Sequence, residues 1–390
     1  MPPAITAYTA TSATGHGTTA LRRALRTRQS GLRRNDFGDG EPLDTWIGRV
    51  MDVEQTPLPA SLAGWECRNN RLAWLALQAD GFVDRALAAR QTYGAASVAV
   101  VMGTSTSSIG ASEEAYTRLD PAGNFPADLA RSIVHTPHSL GDFVQHALGL
   151  TGPAVTVATA CSSSAKVFAQ AARLIQTGVV DAAVVGGVDT LCGSVLFGFN
   201  ALELVSPERC QPFDVARRGL SLGEAGGFAL LERSGDGPRL LGWGESSDAH
   251  HMSSPHPEGL GARLAMEGAL QRAGLTPADI DYINLHGTAT PKNDEIEAAA
   301  IAAVFPASTW ASSTKGWTGH TLGAAGIIES VIALLALEHG EVPGTLNSVT
   351  LDPLCGPQLR LENGERRCRH VMNNSFGFGG NNASLVFGQA

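Results

Sequence analysis

The stretch VTVATACSSSAKVFAQAARLIQTG, residues 155–178, decides the fold class of this chain. Alternating apolar residues run into Cys161, three serines follow, and small and apolar residues then recur at helical spacing. The pattern predicts a strand that turns sharply into a helix, with a thiol at the turn. Unpaired N–H groups at a helix N-terminus favour a thiolate, so we expect the pKa of Cys161 to be lowered. Cys161 is therefore a candidate nucleophile, although a buried cysteine is more commonly inert.

Other strand-like runs alternate with helical stretches along the chain. They include ASVAVVMG, AVTVATA, DAAVVGGVD and IDYINLHG, and their alternation predicts an α/β fold. The segment WASSTKGWTGHTLGAAGIIESVIALLALEHG repeats the plan of the first stretch: a strand-like start, a small-residue loop and a helix closed by glycine. We predict two related halves, residues 1–245 and 246–390, packed so that both helices share one core.

Composition narrows the class of protein. Of 390 residues, 43% are hydrophobic and 17% charged, which is typical of a globular protein. The net charge of -9 argues against a nucleic-acid partner. The six cysteines form no C-x-x-C pair and the N-terminus has no apolar signal segment, so we expect reduced thiols in the cytoplasm. The apolar segment GIIESVIALLALEHG contains Glu329 and is expected to be too short to cross a membrane.

Two histidines also follow strand-like runs. His286 ends the run INLHG before a polar loop and a helix, and His320 lies in SSTKGWTGHTLGAAG, five residues after Lys315. Either histidine alone is weak evidence of a functional site. A cysteine and two histidines at strand ends are stronger evidence, because α/β folds bind ligands at the carboxyl ends of their strands.

Three further segments are ambiguous. The run GFGGNN is not a dinucleotide fingerprint, and we predict either a plain inter-strand loop or a backbone that donates an N–H to a reacting carbonyl. The loop DAHHMSSPHP carries His250, His251 and His256, but its spacing fits no standard metal site. The basic stretch LRRALRTRQSGLRR is interpreted as a solvated helix face, which could also attract an acidic partner.

Together, TACSSSA, HGTATPKND, SSTKGWTGHTLGAAGIIE and NNSFGFGGNNA resemble the β-ketoacyl-acyl-carrier-protein synthases, in the elongating branch with one cysteine and two histidines. The resemblance begins near residue 95. It implies a thiolase fold: two pseudo-twofold-related halves in five alternating α-β-α-β-α layers. It also implies decarboxylative Claisen condensation. Cys161 would hold the acyl group, while His286 and His320 would stabilise the negative charge that develops on a thioester oxygen.

The resemblance assigns supporting roles to other residues. Lys315 and Glu329 correspond to an ion pair that sustains the histidines. The backbone N–H groups of Cys161 and Phe378 correspond to an oxyanion hole, and Phe378 also to a gate. No cofactor is bound permanently and no metal is expected, because the acyl-carrier protein supplies its phosphopantetheine arm. We expect this carrier as a partner, and a dimer of the chain with itself or with a homologous subunit.

Substrate contacts follow from the same resemblance. Thr288, Thr290 and Ser253 correspond to hydroxyls that bind the phosphopantetheine arm, and Thr106 to a position that shapes the acyl pocket floor. Asn381 stands where the family commonly has threonine. The runs LDTWIGRV and CRNNRLAWLAL further resemble ketosynthases of aryl-polyene pathways. The sequence leaves the identity of the acyl chain undetermined.

Three alternatives share the fold. A non-catalytic chain-length factor lacks the cysteine, which is present here as Cys161. A coenzyme A thiolase carries a second cysteine in a C-terminal CxG motif, where this chain has SFGFGG. An initiating synthase pairs its histidine with asparagine, whereas this chain has His320. The sequence therefore favours an elongating ketosynthase.

Overall fold

The structure, a computed structural model, describes residues 1–38 and 40–389. The helices of this part of the chain are α1 (Gly17–Arg26), α2 (Arg68–Leu77), α3 (Phe82–Tyr93), α4 (Ile109–Thr117), α5 (Ser139–Leu148), α6 (Ser163–Gln176), α7 (Gly193–Ala201), α8 (Leu260–Ala273), α9 (Pro291–Val304), α10 (Lys315–Thr318) and α11 (Ala325–His339). The strands are β1 (Ala4–Ser12), β2 (Gly15–His16), β3 (Arg33–Arg34), β4 (Trp46–Gly48), β5 (Val98–Gly103), β6 (Ala154–Val157), β7 (Ala182–Asp189), β8 (Leu222–Gly223), β9 (Ala225–Glu232), β10 (Arg239–Ser247), β11 (Tyr282–Asn284), β12 (Trp310–Ser312), β13 (Glu341–Val342), β14 (Gly364–Glu365), β15 (His370–Gly377) and β16 (Asn381–Gly388).

The main sheet consists of two halves with the same strand order. One half runs β6-β5-β7-β9-β1 and the other β12-β11-β15-β16-β10. In each half the first three strands are parallel and the last two join antiparallel. The halves meet through β1 and β10, where Ala4 pairs with Arg239. This correspondence is the predicted pseudo-twofold repeat.

The sheet strands alternate with helices in five layers. Helices α2, α3 and α5 cover the outer face of the first half-sheet, and α8 covers β10 and β16 of the second. Helices α6 and α11 lie side by side between the half-sheets and contact both. The thiolase fold expected from the sequence is therefore confirmed.

The predicted boundary at residue 245 falls inside β10, a strand that the sheet order groups with the second half. The boundary itself stays a prediction.

The two central helices approach each other at a glycine. A Cβ added to Gly326 of α11 would lie 2.4 Å from the backbone nitrogen of Ala165 in α6. Beside this contact, the Ile327 N–H donates to Ser164 Oγ at 2.9 Å. Small residues at the crossing thus bring together the helices that follow the Cys161 turn and the His320 loop.

Helix α11 continues a 3₁₀ turn, Leu322–Ala324, and this longer run differs from the sequence expectation. The combined run Leu322–His339 has 18 residues and is long and apolar enough to cross a membrane by length and composition. The expectation that this segment is too short was therefore wrong. Its window is 89% buried inside the protein, between the two half-sheets, and a helix buried on all sides is apolar on all sides.

Candidate active site

Cys161 lies in a tight turn between β6 and α6. Ala160 before it has φ 52°, in the left-handed region that non-glycine residues rarely adopt. The serines after the cysteine hold this turn: Ser163 Oγ accepts from the Thr159 N–H at 2.8 Å and donates to the Ala160 carbonyl at 2.6 Å. Ser162 Oγ donates to the Thr159 carbonyl at 2.9 Å. The predicted strand-to-helix turn is present, and its serines explain how the strained backbone is stabilised.

His320 contacts the sulfur of Cys161 directly. Its Nε2 lies 3.1 Å from Cys161 Sγ, and its Nδ1 accepts the Leu322 N–H at 3.1 Å. Because Nδ1 accepts, the proton of the neutral ring is on Nε2. His320 therefore points an N–H donor, and not a basic lone pair, at the cysteine.

His286 lies beside His320 and is oriented by Lys315. The two imidazole rings meet edge to face, with centroids 5.3 Å apart and an interplanar angle of 87°. The Lys315 ammonium donates to the His286 carbonyl and lies 3.4 Å from His286 Nδ1. Since an ammonium is only a donor, His286 Nδ1 accepts and Nε2 carries the proton. Both histidines are thus neutral N–H donors beside one thiol.

Burial sets the charge states of these groups. It lowers the pKa values of His286 and His320 well below their ordinary range, and the charge of Lys315 lowers them further. Burial also raises the pKa of the Cys161 thiol to about 11, although Lys315 and the Phe378 N–H oppose the rise. The expected lowering of this pKa was wrong, because desolvation of a buried thiolate outweighs the N–H groups at the helix end. Free Cys161 is a protonated thiol at neutral pH.

Lys315 and Glu329 form the ion pair expected from the family resemblance. Both side chains are buried, and the Lys315 ammonium donates to Glu329 Oε1. Burial raises the pKa of Glu329, and the adjacent ammonium opposes this rise. The lysine thereby joins the carboxylate of α11 to the backbone and ring of His286. Both charges also act on the Cys161 thiol: Lys315 lowers its pKa and Glu329 raises it.

Phe378 lies in the 3₁₀ turn between β15 and β16. Its backbone N–H acts on the Cys161 thiol and lowers the pKa of that group. A Cβ added to Gly377 would lie 3.2 Å from the Cys161 nitrogen, so the two backbones are in close contact. The Phe378 ring stacks on Phe199 of α7, with centroids 5.6 Å apart. The glycine-rich run is thus an inter-strand turn whose backbone reaches Cys161.

A cavity of about 300 Å³ connects these residues to the surface. Its lining includes Cys161, His286, His320, Phe378, Thr288, Thr290 and Ser253. The hydroxyls of Thr288 and Thr290 lie 2.8 Å apart, and the Ser253 N–H donates to His251 Nδ1. Thr106 is outside this lining: its hydroxyl and N–H donate to the buried carboxylate of Asp189 at 2.7 and 2.9 Å. The structure therefore brings together all predicted site residues except Thr106 around or directly behind one cavity.

Cys161, His286 and His320 could also be considered as a metal site. The ligand atoms of Cys161, His286 and His320 lie within 4.8 Å of one another, and sulfur and imidazole are zinc ligands. In the observed hydrogen bonds, however, both imidazoles present N–H groups at Nε2, whereas a metal needs a lone pair there. The arrangement fits an anionic oxygen better than a cation. In the loop with three histidines, the Nδ1 atoms of His251 and His256 accept backbone N–H groups.

Glu297 is a buried carboxylate that the sequence did not single out. It accepts the N–H groups of His286 and Gly287 at 2.8 and 2.7 Å, and burial raises its pKa to about 7. The carboxylate, from α9, fixes the backbone that carries the His286 ring. The sequence carried no signal for this role, because Glu297 lies in the second turn of α9, where an acidic residue is ordinarily exposed to solvent.

Comparison with known proteins places this site in a family. Residues 69–236 match the β-ketoacyl synthase N-terminal domain and residues 239–349 match the β-ketoacyl synthase C-terminal domain. The chain is 36% identical over 292 residues to nodulation protein E of Rhizobium meliloti, covering 72% of each chain. It therefore belongs to the β-ketoacyl synthase family, and the resemblance seen in its sequence is confirmed.

Two further relatives extend the comparison. The chain is 40% identical over 262 residues to the mitochondrial 3-oxoacyl-[acyl-carrier-protein] synthase of Arabidopsis thaliana, spanning 61% of this chain and 57% of that enzyme. A chain from the complex of the ketosynthase ApeO with its chain length factor ApeC, from Xenorhabdus doucetiae, superposes with a TM-score of 0.90 at 38% identity. That superposition covers 100% of this chain and 98% of the other. The fold is therefore that of a ketosynthase over the full chain.

Proposed function

We propose that this protein condenses an acyl thioester with malonyl-acyl-carrier protein, with loss of carbon dioxide, to give a β-ketoacyl-acyl-carrier protein. The observation that carries the proposal is the 3.1 Å contact of Cys161 Sγ with His320 Nε2, with His286 beside it. One thiol and two N–H donors in a buried cavity suit acyl transfer followed by stabilisation of an enolate.

Cys161 first takes the acyl group from its carrier. Its sulfur attacks the thioester carbonyl, and the oxygen becomes an oxyanion that accepts the N–H groups of Cys161 and Phe378. The bond to the phosphopantetheine sulfur then breaks. The attacking form is the thiolate, which is the minor form of a cysteine whose pKa is raised. Water takes the Cys161 proton before the attack, because His320 Nε2 already holds a proton, and the departing thiolate takes up a proton, so the exchange has no net change in protons.

The histidines act in the second half of the reaction. The malonyl thioester loses carbon dioxide, and its oxygen becomes an enolate that accepts the Nε2–H groups of His286 and His320. The enolate carbon attacks the acyl-cysteine carbonyl, the bond to Cys161 Sγ breaks, and the released thiolate takes a proton from water. Neutral histidines serve here because they donate at neutral pH without carrying a charge.

Partners belong to the same proposal. The phosphopantetheine arm of an acyl-carrier protein would enter past the hydroxyls of Thr288 and Thr290, with Ser253 at the same cavity. Strand β6 ends the sheet, and its residues Val155 and Val157 are only half-buried. Such an edge pairs readily with another chain, which supports a dimer. The complex of ApeO with its chain length factor makes a homologous subunit a candidate partner, beside a second copy.

The pathway and the cellular location complete the proposal. LDTWIGRV and CRNNRLAWLAL favour an aryl-polyene pathway, and the full-length similarity to a ketosynthase with a chain length factor accords with a specialised product. We place the protein in the cytoplasm and interpret the apolar run Leu322–His339 as a core helix. A non-catalytic chain-length factor is disfavoured because Cys161 and both histidines are assembled. A thiolase is disfavoured because the described lining of the cavity includes one cysteine.

The test is a condensation assay with acyl-loaded and malonyl-loaded carrier proteins, in which the mass of the β-ketoacyl product is measured. Wild-type protein forms the product and Cys161→Ala does not. Cys355→Ala, at a half-buried thiol outside the cavity lining, is the matched control and retains activity. If the wild type forms no product with any acyl donor, alone or with a homologous subunit, the proposal is wrong.

A further inference from the structure

Lys166 connects the two elements that carry the oxyanion-hole donors. It lies in the first turns of α6, the helix that follows Cys161, and its Nζ donates to Asn381 Oδ1 at 3.2 Å. Asn381 is the first residue of β16, immediately after the turn that holds Phe378. One side-chain hydrogen bond thus bridges the helix of one N–H donor and the turn of the other.

The location of Lys166 is unfavourable for a lysine that serves only solubility. The side chain is half-buried, and burial lowers its pKa. A positive charge near a helix N-terminus also opposes the helix dipole. The hydrogen-bond partner is an amide oxygen, which offsets the burial of an ammonium less than a carboxylate would. The Glu245 carboxylate also acts on the Lys166 ammonium, but burial outweighs it and the pKa remains lowered. A lysine at this position therefore costs stability, which suggests a role in positioning.

The turn Phe378–Gly380, which Asn381 follows, is closely packed at its N-terminal end. The backbone of Gly377 is close enough to Cys161 that an added Cβ would lie 3.2 Å from the Cys161 nitrogen and 3.1 Å from the Thr159 carbonyl oxygen. Gly379 and Gly380 have φ of 73° and 70°, a conformation that glycine adopts without strain but that does not by itself hold the turn in place. Backbone bonds hold the turn on one side, from the Gly379 N–H to the Met252 carbonyl at 2.7 Å and from the Asp248 N–H to the Gly380 carbonyl at 2.9 Å. The hydrogen bond from Lys166 adds an attachment to α6, the helix that follows Cys161.

We infer that Lys166 and Asn381 are positioning residues that set the distance between the Cys161 and Phe378 N–H groups, and so the strength of the oxyanion hole. The inference rests on the proposed function, because it concerns the acyl-transfer step. A displacement of about 1 Å in a catalytic group can cost about a hundredfold in rate. The hydrogen bond thus acts on thioester attack without touching the substrate.

Two reactions of the same sulfur separate positioning from general structure. Acyl transfer from a thioester passes through an oxyanion, whereas alkylation of Cys161 by iodoacetamide does not. Lys166→Met removes the donor at similar length, and Lys166→Arg restores a cationic donor. Arg233→Met is the control: it breaks an exposed ion pair with Asp181, and neither residue is in the cavity lining.

The expected result is that Lys166→Met slows acylation of Cys161 by about tenfold to a hundredfold, measured by intact mass against time. Its iodoacetamide rate falls by much less than its acylation rate, because the Phe378 N–H has a smaller effect on the thiol pKa than burial. Asn381→Ala has the same effect, the double variant is no slower than either single one, and Lys166→Arg recovers most of the acylation rate.

Two results would each overturn this inference and leave the proposed function standing. One is a Lys166→Met variant whose Cys161 is acylated at the wild-type rate, and the other is a variant that loses acylation and alkylation in parallel. If wild-type protein itself alkylates but never acylates, the proposed function fails and this inference fails with it.

Discussion

His320 donates its Nε2–H to the sulfur of Cys161 across 3.1 Å, because the Leu322 N–H already occupies Nδ1. This relationship determines which chemistry the histidine can perform. A ring with its proton on Nε2 stabilises a negative atom in front of it and does not remove the thiol proton. In the proposed reaction that atom is the enolate oxygen, and His286 presents a second donor beside it.

Removing the N–H donor of His320 or of His286 should lower the condensation rate while the protein still folds. His320→Ala is expected to lower the condensation rate by about 10²–10³-fold, the usual effect of losing one oxyanion donor. His320→Gln keeps an amide N–H and should recover part of the rate. His339→Gln, at the exposed end of α11, is the control and should leave the rate unchanged. An unchanged rate in His320→Ala would exclude the donor role.

The raised pKa of Cys161 predicts how its alkylation depends on pH. With a pKa of about 11, the thiolate fraction rises tenfold per pH unit from pH 6 to pH 9. The rate of iodoacetamide modification at Cys161, followed by mass spectrometry, should rise in proportion without a plateau. Cys161→Ala gives the background from the other cysteines. A plateau near pH 7 would show that the helix end, and not burial, controls the thiol.

The lowered pKa values of the histidines predict a loss of stability in acid. Below pH 6.5 the unfolded chain binds protons at His286 and His320 that the folded chain does not, so unfolding becomes easier as pH falls. Each histidine contributes up to about 1.4 kcal/mol per pH unit. Urea unfolding at pH 6.5, 5.5 and 4.5 should show a smaller decline for His286→Gln than for wild type. Equal declines would mean that this histidine is charged in the folded protein.

The buried pair of Lys315 and Glu329 should be costly to break from one side. Lys315→Met leaves a carboxyl group without its counter-charge in the core, and the free energy of unfolding should fall by about 3–5 kcal/mol. Lys315→Met combined with Glu329→Leu removes both charges and should recover much of this loss. Urea denaturation measures both. A double variant that is less stable than Lys315→Met would contradict this account.

The crossing of the central helices predicts a contrast between two glycines. Gly326→Ala places a methyl group 2.4 Å from the Ala165 nitrogen and should destabilise the fold by about 1–3 kcal/mol. Gly198→Ala, in α7, meets no atom within 4 Å and should be neutral or slightly stabilising. Thermal unfolding compares them. Equal melting temperatures would show that α6 and α11 are not closely packed at this point.

Much of the site could be predicted because its residues lie at element ends that have local signatures. Cys161 between an alternating strand and a helix, and His286 after a strand, are examples. The pKa of Cys161 was wrongly expected to be low, because burial depends on layers that fold over the turn from distant parts of the chain. The place of Thr106 at the acyl pocket stays a prediction from resemblance, and its hydrogen bond to Asp189 could not be foreseen because the two residues are far apart in the chain. Glu297 and the Lys166–Asn381 bond were missed because they are tertiary contacts.

The measurement that tests the central claim most directly is the intact mass of wild-type and Cys161→Ala protein after exposure to acyl-loaded carrier proteins. Short, long, unsaturated and aryl acyl groups would be compared. The account predicts that wild type gains the mass of one acyl group, that Cys161→Ala gains none, and that peptide mapping places the group on Cys161. Acylation of the alanine variant at the wild-type level would contradict it.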